Sequence, residues 1–521
     1  MRSIWVLFAI AAWCVMPRES QAFAKCDTLF AGPGALETFI LQNGVGDAPM
    51  RYYELARSIR IETEDASGRL IPLATLDSEQ RPVVVYPSAF PLLLCKMALA
   101  TYMALQGQDW QPMAEAARDA AACIDANQLQ ATCLADYAAA LERQYRAAFD
   151  AMPSGQGTAY AIAHDALAQI AKHEYAHHLL EHRQRIRSGA LKRIDAEFEA
   201  DFYALQNGAE SGQSVSAMYY FFEPMAEMES HSTMAASGHY ESSTCRATNV
   251  EDIIGLFGMA PMYMLDAAGG RGSALQHPNY DLAQVAAQLL GAPSPMPSSS
   301  SCGRLAATVL REAHGELGRL AALIADYGET LEPRPGHANT GEGIGLTSPE
   351  AFELIERLQD SARTFTHLKG LAARALSLVI QRADYGGLSP AVAQSVDSVL
   401  NTSSGDIMSG DFGRLLNVKG ISSLYGEPDR PLQERMNEAQ PIFEAALIHL
   451  PTSAEAWMSL ALIALARGNC DGAVRFADES ARYADGPARD DAEAFRDTVQ
   501  RISHDGECAQ SAADFAATFA Q

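Results

Sequence analysis

The 521-residue chain is 48% hydrophobic and 20% charged, which is enough apolar content for roughly two or three domains with buried cores. A formal net charge of -25 and a pI near 4.9 argue against nucleic acid or an anionic lipid surface as partner. The charge is spread along the sequence and not gathered in a tail, so it describes a solvated surface and permits a basic substrate.

In chain order, Arg2, an apolar run over residues 4–16 and then Ala22-Phe23-Ala24 read as an export signal with an A-x-A cleavage site. Residues 1–24 are expected to be removed, placing the mature chain in the periplasm or outside the cell. The run is too short to span a bilayer, and Cys14 lacks the Leu-x-x-Cys pattern of a lipoprotein site. No later stretch reaches about 18 uninterrupted apolar residues, so no transmembrane anchor is expected. Setting Cys14 aside leaves Cys26, Cys95, Cys123, Cys133, Cys245, Cys302, Cys470 and Cys508. An even number in an oxidising compartment favours disulfides, and no C-x-x-C pair points to a cysteine metal site. The simplest pairing joins neighbours: Cys26 with Cys95, Cys123 with Cys133, Cys245 with Cys302, and Cys470 with Cys508.

Strand signals lie at residues 58–63, 70–76 and 82–86, ahead of a helix over 90–105. Cys123 and Cys133 bracket an Ala-rich helical hairpin. Residues 172–182, KHEYAHHLLEH, then contain His173-Glu174-Tyr175-Ala176-His177, an H-E-x-x-H arrangement. On a helix His173 and His177 stand one turn apart on one face, so two neutral imidazoles reach a single Zn²⁺. Glu174, about 100° round from His173, is placed to polarise water instead of binding metal. Ala166, Ile170, His173, His177 and Leu180 form a stripe facing the core, with Thr158 as the expected cap and Ser188-Gly189 as the expected end. Downstream, Asp195-Ala196-Glu197-Phe198-Glu199-Ala200-Asp201 offers a third ligand, for which Glu197 is chosen. Asp201, one turn after Glu197, can accept the free N–H of a ligand histidine, whereas Glu199 has Tyr203 one turn on. The competing reading is an acidic solvated helix face beside two core histidines.

Residues 215–229 are helical in pattern despite Pro224 and are rich in Met and aromatics, as core or as the lining of an apolar peptide cleft. A Ser/Gly-rich loop covers residues 230–249. Pro/Ser- and Gly-rich breaks at 291–301 and 328–347 bound the next segment; Gly341-Glu342-Gly343-Ile344-Gly345 reads as linker, since no strand precedes it. Helices are expected over 304–327 and 348–383, the latter opened by Ser348-Pro349-Glu350, and residues 401–431 read as loop-rich. Ala439, Phe443, Ala446 and Pro451, then Trp457, Leu460, Gly468 and Ala473, have the spacing of two tetratricopeptide-like units. Such stacked pairs present a concave surface for protein partners.

On HEYAH followed by EFEAD, the sequence resembles the HtpX-like and CAAX-protease-like gluzincin metallopeptidases, whose signature is H-E-x-x-H followed by E-x-x-x-D. The resemblance implies His173, His177 and Glu197 as ligands of one Zn²⁺ per chain, Glu174 as general base and Asp201 as support for a ligand histidine. The family carries a His-Pro segment and then an Arg after the third ligand; here residues 237–246 hold His239, Tyr240 in place of Pro, and Arg246. This implies His239 near the active site, capping the metal at rest or touching substrate, with a surface loop histidine as the alternative. Arg246 becomes a substrate or oxyanion candidate. In the resembled fold a small sheet precedes the zinc helix and its edge strand pairs with substrate backbone; Val83-Val84-Val85 is assigned to that edge, an ordinary buried strand being the alternative. With its export signal and repeat tail, the chain is similar to the periplasmic type of that family.

The expected architecture is α+β and mostly helical: a zincin-like metallopeptidase domain over 25–290, a helical region of unassigned role over 303–410 and tetratricopeptide-like repeats over 420–521. The expected activity is zinc-dependent cleavage of unfolded or misassembled envelope proteins, with protein and peptide substrates and no nucleic acid. Two rivals remain: a non-catalytic periplasmic chaperone or adaptor with a structural zinc site, and an interaction module whose motif is accidental.

Overall fold

The computed structural model describes residues 34–64, 72–107, 109–127, 131–150, 156–211, 213, 217–231, 243–257, 304–326, 349–381, 390–402, 405, 407–425, 429–484 and 486–504. The export signal, Cys26, His239, Cys302, Cys508 and the breaks at 291–301 and 328–347 lie outside the described residues.

Among the described residues the chain is mostly helical with one small sheet. Helix α1 (Ala35–Leu41) runs into a π-helical turn (Gln42–Gly46), followed by α2 (Tyr53–Ser58) and strands β1 (Arg60–Glu64), β2 (Leu73–Leu76) and β3 (Pro82–Pro87). The strand order is β1-β3-β2. Strand β3 pairs in parallel with β1, Arg60 opposite Val83, and antiparallel with β2, Ala74 opposite Val84.

Val83-Val84-Val85 is therefore the central strand, which corrects its assignment to the edge. Val83 and Val84 point to opposite faces and are both buried, so a β-branched run here marks cover on two sides. The edges fall to the charged β1, with Arg60, Glu62 and Glu64, and to the four-residue β2.

Helices α3 (Phe90–Gly107), α4 (Gln111–Asn127) and α5 (Ala131–Asp150) follow, and the Cys123–Cys133 disulfide joins α4 to α5 at a Cα separation of 5.7 Å. Cys95, Cys245 and Cys470 are also disulfide-bonded.

The element that positions the site is α6 (Gln156–Leu179). Residues 166–176 are all buried, so this helix is covered all round and not along one stripe. Two of its interior polar residues, Gln169 and Lys172, are paired. Gln169 accepts from the Met218 N–H at 3.2 Å, and the Lys172 ammonium lies 2.6 Å from Asp47 and 2.9 Å from Gln213. Gly44 lets the π-turn close on this helix: a Cβ there would stand 2.6 Å from the Tyr175 ring.

Helix α6 begins at Gln156, which puts Thr158 in its first turn and not at its cap. It stops at Leu179, well before Ser188-Gly189. Glu181 takes the left-handed conformation, φ 54°, and restarts the chain as α7 (His182–Arg187), which ends where Gly189 adopts φ 75°. Helix α8 (Arg193–Glu210) lies along α6, followed by α9 (Tyr219–Ser230) and α10 (Ser243–Phe257). The Met and aromatic stripe of α9 is core: Tyr219, Tyr220, Phe221, Phe222, Met225 and Met228 are all buried.

Farther on come α11 (Arg304–Asp326), α12 (Pro349–Thr364), α13 (Lys369–Gln381) and α14 (Pro390–Thr402). The single helix expected over 348–383 is two. Glu316 of α11 accepts the backbone N–H groups of Thr366, His367 and Leu368, capping α13 from outside its own segment.

The last elements are α15 (Ser409–Tyr425), α16 (Leu432–His449), α17 (Ala454–Ala466), α18 (Cys470–Tyr483) and α19 (Gly486–His504), each packed on the next. Residues 401–431, expected as loop, thus hold a helix. Its glycines permit close packing that outweighs weak propensity: a Cβ at Gly420 would stand 2.6 Å from the Phe443 ring. A bridge between Pro49 and Met408, and the Tyr53 hydroxyl donating to the Ile448 carbonyl at 3.2 Å, tie this part to the N-terminal segment. Among the described residues no helix is long and apolar enough to cross a membrane.

Candidate metal centre

His173 and His177 project from α6, and Glu197 reaches them from α8. The two Nε2 atoms are 3.1 Å apart; Glu197 brings Oε2 to 3.3 Å from His173 and Oε1 to 3.6 Å from His177. Four-coordinate zinc with bonds of about 2.0–2.2 Å sets neighbouring ligand atoms about 3.3 Å apart, so this donor set fits zinc. Among the described residues it is the one group of three such side chains within reach of a single ion.

Each histidine is held from behind. His173 Nδ1 lies 2.8 Å from Asp201 Oδ1, and Asp201 is wholly buried. Arg246 of α10 clamps that carboxylate with Nη2 at 2.7 Å and Nε at 3.1 Å, while its Nη1 lies 3.2 Å from Glu197. The guanidinium rests on the Phe222 ring, 4.4 Å from its centroid. Arg246, singled out above as a substrate or oxyanion candidate, in this arrangement steadies two carboxylates of the centre. Behind His177, His182 places Nδ1 2.9 Å from the His177 Nδ1 and Nε2 3.1 Å from Glu199, and Arg185 grips Glu199 with two nitrogens at 2.5 and 2.9 Å.

Glu174 is buried, and its Oε2 accepts the backbone N–H of Ala74 at 2.7 Å. Ala74 belongs to the edge strand β2, so an N–H that sheet pairing leaves unused anchors the carboxylate. On the other side of the sheet contact, His178 Nε2 meets the Val83 carbonyl at 3.0 Å and fixes α6 against β3.

The buried charges set one another. Burial and the Arg246 charge lower His173, but Asp201 and Glu197 together outweigh them and push the ring up to about 9. Burial and the neighbouring His173 charge hold His177 down at about 3. Burial opposes ionisation of Glu197, yet Arg246 and His173 keep its carboxyl far below the usual range. Burial raises Glu174, reinforced by the Glu197 charge and opposed by His173 and the Ala74 N–H. A divalent cation requires neutral imidazoles beside an ionised carboxylate; His177 and Glu197 already meet this, and a cation at the site would displace the second proton of His173.

The structure brings His173, Glu174, His177, Glu197, Asp201 and Arg246 together; His239 lies outside the described residues. Sequence reasoning missed Ala74, His182, Arg185 and Glu199. His182 is five positions after His177, about 140° round a continuous helix, and only the left-handed turn at Glu181 returns it to that ring. The sole signal was a further histidine, the fourth in residues 172–182. Comparisons with protein-family models, curated proteins and solved structures give no match.

Proposed function

We propose that the chain is an exported zinc endopeptidase acting on unfolded or misassembled envelope proteins. The catalytic part is zincin-like and spans residues 25–290, and residues 420–521 form tetratricopeptide-like repeats that bind protein partners. The observation that carries this reading is the set of His173, His177 and Glu197 at 3.1–3.6 Å from one another, with Glu174 buried beside them.

Zinc held by those three residues supplies Lewis acidity toward a peptide carbonyl and toward water. Glu174, one oxygen fixed by Ala74, uses the other to take a proton from the attacking water. The hydroxide adds to the carbonyl carbon, the C–N bond breaks, and Glu174 returns the proton to the leaving nitrogen. Its raised pKa suits both transfers.

The test is cleavage of a reduced, unfolded protein by wild type and Glu174→Gln. Wild type cuts, and the variant keeps its metal while losing about 10²–10⁴-fold in rate. Wild type that carries zinc but cuts nothing supports the chaperone or adaptor reading instead.

A further inference from the structure

We infer that His182, Glu199 and Arg185 form a hydrogen-bonded chain that positions His177 as a metal ligand, by fixing which of its ring nitrogens carries the proton. The inference rests on the zinc reading of the site and adds residues outside the H-E-x-x-H and E-x-x-x-D pattern.

Arg185 donates through Nη1 and Nη2 to the two oxygens of Glu199, at 2.5 and 2.9 Å, so that carboxylate is ionised, charge-balanced and able only to accept. His182 Nε2 lies 3.1 Å from Glu199 Oε2 and must be the donor of that bond. A neutral His182 with its proton on Nε2 presents a bare lone pair at Nδ1. That nitrogen is 2.9 Å from His177 Nδ1, so the proton between the two rings belongs to His177. His177 is left with an unprotonated Nε2, the atom that lies 3.1 Å from His173 Nε2 and 3.6 Å from Glu197. A histidine side chain does not hold the Nδ1–H form by itself, and the protein imposes it through three side chains.

The backbone supports the assignment. Glu181 is a non-glycine residue at φ 54°, a conformation kept only where the surroundings fix it. Its effect is to bring His182, 1% exposed, under His177 when a continuous α6 would carry it away. His173 has the parallel device in Asp201 and Arg246, so each ligand imidazole is backed by a carboxylate that an arginine holds.

The experiment uses the full mature chain. Zinc affinity is measured by competition with a chromophoric chelator, and the His177 tautomer by ¹⁵N ring shifts of zinc-free protein. His182→Ala is expected to bind zinc about ten- to a hundred-fold more weakly than wild type and to move His177 toward the Nε2–H tautomer. His182→Asn, which keeps an acceptor near the Nδ1 position, is expected to recover part of both. Glu199→Gln, which leaves His182 in place, is expected to shift both readouts in the same direction and covers the case in which the His182 variants fail to fold. Wild-type zinc affinity in His182→Ala, or a His177 tautomer unchanged by these substitutions, overturns the inference. Wild type that takes up no zinc overturns the zinc reading, while the tautomer readout still judges the hydrogen-bonded chain by itself.

Discussion

Lys172 stands immediately before His173 with its side chain 2% exposed, and an ammonium in that position needs a counter-charge. Asp47 gives it one at 2.6 Å, and Ser211 donates to the same carboxylate at 2.8 Å. Asp47→Ala, which strands the buried cation, should cost about 3 kcal/mol, whereas Lys172→Met, which removes the charge and leaves the partly exposed Asp47, should cost less. Urea denaturation midpoints check the order, and a larger loss for Lys172→Met would contradict it. At this scale the cluster was legible because helical periodicity is local: His173, Glu174 and His177 share one helix, and Glu197 and Asp201 share another. Lys172, Ala74 and His182 were not, because their partners arrive through a π-turn, a strand edge and a left-handed residue.

Element boundaries followed the same division. The three strands and the helix after them appear close to where alternation and β-branched runs place them, yet the order β1-β3-β2 depends on pairing that no local pattern contains. The break between α12 and α13 is set by Glu316, and α15 forms because its Gly420 admits Phe443; in both cases the deciding partner sits on another helix. Where α9 meets α10, burial and the charges of Glu223 and Asp252 push Glu251 up to about 7. A carboxyl raised in this way favours its neutral form in the fold. Its stabilising effect is complete below the ordinary value near 4.5 and is lost as pH rises through about 7. Thermal unfolding midpoints from pH 5 to 8 should therefore fall less steeply in Glu251→Gln than in wild type. The variant should be the more stable of the two at pH 8, and parallel curves would refute the assignment.

At the scale of the whole molecule, a mostly helical chain converges three helices, α6, α8 and α10, on one buried centre. The sheet supplies a backbone N–H to Glu174, and α7 backs His177. The mostly helical class with a small sheet was legible from periodicity, and so was the place along the chain of the residues that cluster. The long-range ties from Pro49 to Met408 and from Tyr53 to Ile448 were not, since they join segments with no shared pattern. The central claim is that His173, His177 and Glu197 hold a zinc ion, and metal content of the purified mature chain tests it most directly. Wild type and Glu174→Gln should each carry about one zinc per chain, and His177→Ala should lose it. A wild-type chain free of zinc after growth in zinc-containing medium, or a His177→Ala chain that keeps a full complement, would contradict the account.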